Sequence, residues 1–443
     1  MSRQIISNIF SSFADKTFTA VALLAAMVIT VRLLPRSDFG IIGVVAGYGA
    51  FFQIINLALE NVLLRDHRTY ERNPEHFLLN FMFFNLIKAL LIVILGAALA
   101  FILPVAYGEQ GFIFAVSSFT AVLLADCFVS PLVIYASARY QQWLVTRVNV
   151  VRFSLNLLLL LGLFYWPTLS YLMIKDAIVM SVTTCVWLVV ARKSLGLDFS
   201  KVSFANDIDL SFVYQVLTKY SLWVHFMAVS TAFIYRADGF ILSFFVPLST
   251  LGNYNVALTS ANVANIAPSI LGYQNSVAIS HARDEAEASE LTDTFLRIST
   301  YIGVGTLLGF ISFGVLYLQV VTGDATVNEI YWYMICIVLG LVVAKTIASP
   351  LVAYLNIKGD VRKLFLRVAL PVMLFSIFSY FVTGYFWGAT GVAVSNITTA
   401  IVWVALLSCE IKRYGYRFGG FSKCWDDLRW VRVQCVRLAS SKP

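Results

Sequence analysis

Apolar residues fill this chain in long runs separated by short polar punctuation. A helix needs roughly 20 consecutive apolar residues to cross the hydrocarbon of a bilayer. Runs of that kind recur twelve times, near residues 12–34, 39–63, 77–104, 111–138, 143–166, 169–190, 214–246, 251–280, 294–321, 330–356, 364–387 and 388–411. Several exceed the bilayer, so they are expected to tilt or to project beyond it. The pattern predicts an all-α polytopic membrane protein with twelve transmembrane helices.

The runs repeat as well as recur. "SPLVIY" at Ser130–Tyr135 returns as "SPLVAY" at Ser349–Tyr354, 219 positions later. Leu34-Pro35-Arg36-Ser37-Asp38-Phe39-Gly40 after the first span resembles Val246-Pro247-Leu248-Ser249-Thr250-Leu251-Gly252 after the seventh, at an offset of 212. Such offsets are half the chain length. Each half then carries six spans, and because six is even both halves start on the same side, which is a parallel pseudo-twofold repeat. The expected organisation is an N-terminal six-helix lobe at 1–195, a cytoplasmic linker at 196–213, a C-terminal six-helix lobe at 214–415 and a basic tail at 416–443. Duplication of this kind points to a transporter that binds its substrate between two rocking lobes.

Composition agrees with the pattern. Of the 443 residues 59% are hydrophobic and 13% charged, and the mean hydropathy is +0.80. A soluble protein could not hide that much apolar surface. The first run is too long for a cleavable signal peptide and no small-residue cleavage site follows it. The six cysteines form no CxxC, and Cys127, Cys185, Cys336 and Cys409 in apolar runs read as small core residues, so neither metal nor disulfide is expected.

The net charge of +8 does not indicate nucleic acid, because its placement follows the membrane. Twenty Lys and Arg residues fall at the N-terminus, the even-to-odd connections and the C-terminal tail, against Arg36 alone on the other side. By the positive-inside rule both termini are expected in the cytoplasm. Beyond Gly420 the residues Phe421, Cys424, Trp425, Leu428, Val431, Cys435 and Leu438 form an apolar stripe with Arg429, Arg432 and Arg437, which suits an amphipathic helix on an anionic leaflet.

Charges inside the spans carry the candidate chemistry. Eleven basic residues lie there against six acids. A charge at mid-bilayer costs at least ~2.5–3.5 kcal/mol and normally faces the bundle interior or water. Arg147, Arg297 and Arg367 near cytoplasmic ends, and Arg32 and Lys175 near outer ends, are expected to snorkel. Lys88, Arg152, Arg236 and Lys345 lie too deep for that and are the candidate anion-binding residues. Asp126 occupies in the first half the place of Lys345 in the second. Asp126 should pair structurally with Lys88 or Arg152, whereas Lys345 has no acid at its depth. Gln53, Asn56 and Glu60 share one face of the second span, and Asn255, Thr259 and Asn262 one face of the eighth. These polar stripes suit a watery, sugar-compatible cavity, with Glu60 the candidate proton-coupling group. No HExxH, P-loop or GxSxG occurs and the four histidines are scattered, so an enzyme is not expected.

The segments "RLLPRSDFGIIGVV", "RADGFILSFFVPLSTLGNYNVALTSANV" and "SPLVAYLNIKGDVRKL" resemble the polysaccharide-transporter branch of the MOP exporter superfamily, the Wzx-type flippases, over almost the whole chain. MurJ-like lipid II flippases look less similar, since they carry two additional helices. The resemblance implies translocation of undecaprenyl-pyrophosphate-linked oligosaccharide across the bacterial cytoplasmic membrane for O-antigen, capsule or exopolysaccharide assembly. It implies no cofactor, and it implies membrane lipids, a polysaccharide polymerase and a chain-length regulator as partners. The alternative is a MATE-like multidrug or cation antiporter of the same fold, whose interior should be net acidic rather than basic.

Overall fold

The computed structural model describes residues 3–55, 74–139, 141–198, 208–211, 214, 222–265, 268, 271–272, 275, 279, 282, 284–416 and 418–421. All regular structure among them is helical. The helices are α1 (Arg3–Leu33), α2 (Arg36–Ile55), α3 (Pro74–Tyr107), α4 (Gly111–Ala138), α5 (Gln142–Leu160), α6 (Leu169–Lys193), α7 (Leu222–Leu242) and α8 (Leu248–Ala261). They are followed by α9 (Glu285–Thr322), α10 (Asn328–Val342), α11 (Ala348–Lys358), α12 (Val361–Leu364) and α13 (Leu370–Lys412). Among the described residues, eight helical stretches are long and apolar enough to cross a membrane. One of these, Val361–Lys412, is broken at Gly388 (φ 56°, ψ −139°), a conformation that costs an L side chain but not glycine, and it contains two of the expected spans. The expected tail helix, the linker around 199–207, and Asn56 and Glu60 lie outside the described residues.

Local sequence explains where the helices begin and end. Pro35 and Pro247, the paired prolines of the repeat, stand immediately before α2 and α8, where a missing N–H costs nothing. Asp284 caps α9 by accepting from the Glu287 N–H at 2.8 Å, and Gly323 (φ 76°) closes its far end. At 38 residues α9 runs about 57 Å, well beyond the hydrocarbon. The surface is that of a protein dissolved in lipid: Leu90 (61% exposed), Ile94 (58%) and Phe313 (68%) face outward in mid-helix. Cys185 and Cys409, expected in the core, are also exposed, as small apolar groups tolerate a lipid-facing position. Tyr165, Trp166 and Trp332 are exposed near helix ends, and Tyr385, Phe386 and Trp387 just before the break at Gly388, where amphipathic rings favour the membrane–water interface.

The chain divides into two compact units, Met1–Ala232 and Phe233–Pro443. In the first, α3 packs on α4, α4 on α6, and α1 on α5. Its core holds Phe77, Leu78, Phe81, Leu132 and Trp187. Asn85 donates to the Cys127 carbonyl at 2.6 Å, and Asn149 to the buried Asp15 carboxylate at 2.9 Å. In the second, α10 packs on α8, α9 and α13. The chain beyond α13 is pinned back onto α9. Tyr416 donates its hydroxyl to one Asp293 oxygen (2.5 Å) and the Gly419 N–H donates to the other (2.9 Å), with Arg297 at 3.9 Å.

Between α10 and α11 the helix widens into a π turn at Val343–Ile347, and a second π turn at Phe365–Ala369 precedes α13. Each has a proline just beyond it. Pro350 and Pro371 lack the N–H that would bond the carbonyl four residues back, and their rings crowd that carbonyl. Those carbonyls belong to Thr346 and Arg367, inside the two wide turns.

Candidate functional site

The second unit places Lys345 within the first of these π turns. Its ammonium lies 4.0 Å from the centroid of the Tyr235 ring on α7. Tyr235 is in turn backed by Trp403 of α13, with ring centroids 6.5 Å apart. Among the described residues no carboxylate pairs with Lys345. The nearest acid along α7 is Asp238, one turn beyond Tyr235, and its bonds go elsewhere. Asp238 is 1% exposed and accepts the Tyr254 hydroxyl at 2.6 Å and the Gly239 N–H at 2.8 Å. Tyr254 accepts from the Asn396 amide at 3.0 Å, and Asn396 accepts from Tyr380, also at 3.0 Å. A carboxylate is thus buried among neutral donors, one turn along α7 from the ring on which the Lys345 ammonium rests.

Sequence reasoning missed this network. The sequence by itself assigns no role to Asp238, Tyr254, Tyr380 or Asn396. Each is a polar residue inside a spanning run, which is a signal, but the partners are 16 to 146 positions apart. Beside the network is a small cavity lined by Tyr235, Ala344, Tyr380, Asn396, Thr399 and Trp403. The Trp403 indole N–H is buried there with no protein acceptor among the described residues.

Of the other residues singled out on α7 and α8, Arg236 is exposed. Asn255 is buried, and the Thr259 hydroxyl donates back to the Asn255 carbonyl at 2.8 Å. Asn262 is exposed in a 3-10 turn, Asn262–Asn265, that succeeds α8.

In the first unit a cavity of about 310 Å³ is lined by Arg152 and Asn156 of α5, Asp176 of α6, Ser118 of α4 and apolar side chains. Arg152 is half-buried and within electrostatic reach of both Asp126 and Asp176. Lys88 is buried on α3, one turn beyond Asn85, and pairs with no carboxylate among the described residues. Gln53 is half-buried on α2.

Two residues expected to snorkel do not. Lys175 is 4% exposed and donates to Asn156 and Asp176, both at 2.5 Å. Arg297 is 3% exposed beside Asp293 and Thr294. Each has polar partners inside its unit that compensate the buried charge. Arg367 pairs with the buried Glu410 at 3.3 Å, and Arg413 reaches the same carboxylate at 2.7 Å.

Helices of this length and surface, in two compact units, define a polytopic helical membrane protein, and the solved structures it resembles give it a MOP/MATE-like fold. The chain superposes on the lipid II flippase MurJ in an inward closed conformation with a TM-score of 0.67 at 15% identity, covering 91% of this chain and 87% of that one. An inward-facing multidrug-resistance MATE family transporter of the MOP superfamily gives 0.56 at 13% identity, with 93% and 96% covered. The eukaryotic MATE transporter AtDTX14 gives 0.54 at 14% identity, with 97% and 94% covered. No family model matches the sequence, and no curated protein matches it. At these identities the likeness is one of fold.

Proposed function

We propose that the chain flips a polyprenyl-pyrophosphate-linked oligosaccharide across the bacterial cytoplasmic membrane, its substrate being of the undecaprenyl class. The lobes are 1–195 and 214–415, joined by the linker 196–213, and they work by alternating access, with both termini cytoplasmic. The observation that carries this reading is Lys345, a cation in the middle of a spanning helix with an aromatic neighbour and no carboxylate among the described residues. A carrier of an anionic headgroup needs such a charge, and a bundle that only needed stability would have neutralised it. Lys345 meets the pyrophosphate, with Arg236, Arg152 and Lys88 as further cations, while Asn255, Thr259, Asn262, Gln53 and Asn56 serve the sugars. Inside-negative potential favours outward movement of an anion by ~2.3 kcal/mol per charge per 100 mV, and Glu60 is the candidate for any proton coupling. The exported oligosaccharide would be consumed by a polymerase with its chain-length regulator.

Deletion of the gene followed by lipid extraction tests this reading. Lipid-linked oligosaccharide should accumulate in the inner leaflet. Lys345→Ala should leave the protein abundant but unable to relieve that accumulation, whereas Asp126→Ala should mainly lower abundance. Full complementation by Lys345→Ala at normal protein levels would refute the role of Lys345.

A second reading, export of organic cations, draws on Asp238, whose buried carboxylate has only neutral hydrogen-bond donors. It requires Asp238→Asn to abolish resistance to cationic compounds while lipid-linked sugars remain normally distributed.

A further inference from the structure

We propose that Tyr235 is the positioning residue for Lys345, an electrically neutral partner that holds the ammonium in place and leaves its whole charge available to a diphosphate. The inference deepens the flippase reading above and rests on it.

An ammonium in a low-dielectric bundle needs a partner, and two kinds are open to it. A carboxylate would stabilise it by cancelling its field, and a second anion would then find nothing to bind. The face of an aromatic ring stabilises it through the ring quadrupole, with no net charge of its own. At 4.0 Å above the Tyr235 ring, Lys345 has the second kind of partner. The one carboxylate close by in the sequence of α7, Asp238, has its two oxygens engaged by Tyr254 and the Gly239 N–H. The ring contact also leaves room for a ligand. An ammonium carries three N–H donors, and a single ring face does not use them all, so phosphate oxygens can be received on the other side.

Two features hold the pair in register. Trp403 lies against Tyr235 and limits its rotation. The π turn at Val343–Ile347 is fixed by Thr346, which is buried and donates to the Val342 carbonyl at 2.6 Å, and by Asn275, which donates to the Pro350 carbonyl at 3.1 Å. Lys345 is thus presented by a backbone that is itself tied down, which is how a binding cation avoids an ordering cost when the ligand arrives.

The test uses the full-length protein in detergent, titrated with geranylgeranyl diphosphate and, as the uncharged control, geranylgeraniol. Tyr235→Phe should bind the diphosphate within about twofold of the parent protein. Tyr235→Leu should bind it up to roughly 30-fold more weakly, the equivalent of a desolvated cation–π contact of ~2 kcal/mol, with the alcohol unaffected. Because Leu could disturb packing against Trp403, a second series places phenylalanine with one, two and three ring fluorines at position 235. Fluorine drains the ring face with almost no change of shape, so affinity for the diphosphate should fall stepwise. A flat fluorine series, or a Tyr235→Leu loss equal for diphosphate and alcohol, overturns the role given to Tyr235. If Lys345→Ala loses the diphosphate while Tyr235→Leu keeps it, the flippase reading stands and this inference fails. If Lys345→Ala binds the diphosphate like the parent protein, the reading itself fails and takes the inference with it.

Discussion

Gly303 on α9 is where the geometry around Lys345 can be broken from a distance. A Cβ at that position would sit 2.4 Å from Thr346 Cγ2 and 3.1 Å from Val342 Cγ1. Thr346 cannot swing away cheaply, since it is buried, β-branched and bonded through its hydroxyl to the Val342 carbonyl at 2.6 Å. Gly303→Ala must therefore push α9 off the π turn. Overpacking of this kind costs about 1–3 kcal/mol. For a unit of some 200 residues, 2 kcal/mol corresponds to roughly 4–8 °C in melting temperature. Thr346→Ser removes the offending methyl and keeps the hydroxyl, leaving Val342 Cγ1 at 3.1 Å as the nearest contact and the Cβ of residue 346 at 3.3 Å. Alone it should cost about 1 kcal/mol for the lost packing. Combined with Gly303→Ala it should restore most of the melting temperature, so the two changes should be non-additive by ~1–2 kcal/mol. The assay is thermal unfolding of the four purified proteins in one detergent. Gly303→Ala melting with the parent protein, or strictly additive losses in the double variant, would refute the close packing of α9 on the π turn.

The clamp beneath the second unit is sensitive to alkali. Burial, and secondarily the bond to Asp293, push the Tyr416 phenol well above its ordinary pKa of 10.0. A group that holds its proton more tightly when folded contributes stability below its unfolded pKa and loses it as pH rises above that value. The melting temperature of the parent protein should fall from about pH 10 upward, and Tyr416→Phe should flatten that dependence while lowering stability at pH 7. Membrane topology is checked with reporter fusions. Fusions at Arg68, Lys201, Asp284 and Lys423 should read cytoplasm and fusions at Glu109 and Asp324 the outside, and one inverted loop would break the parallel arrangement of the halves.

The spans were legible because the bilayer makes backbone satisfaction a local matter. Without water to bond to, each crossing must close its own N–H and C=O groups as a helix, and the need for a long apolar run is written into contiguous residues such as Phe77–Pro104. Helix starts were legible for the same reason, since Pro35 and Pro247 act on their own turn. What happens to a polar side chain inside the bundle is decided by whichever helix lies opposite. Lys175 and Arg297 had short routes to an interface and turned inward instead, because Asn156, Asp176, Asp293 and Thr294 were there to receive them. Depth along a helix exposed Lys345 as an anomaly but could not show Tyr235 beneath it, 110 positions away in the sequence. The repeat itself makes the division plain. Pro131 and Pro350 occupy equivalent places in nearly identical hexapeptides, yet α4 passes Pro131 as an α-helix while the chain before Pro350 widens into a π turn. The proline creates the demand for relief in both halves. In the first half Asn85 bonds the Cys127 carbonyl that Pro131 leaves without its N–H, whereas in the second Thr346 packs against Gly303 and Asn275 bonds the Pro350 carbonyl, so packing settles which backbone the same residues adopt.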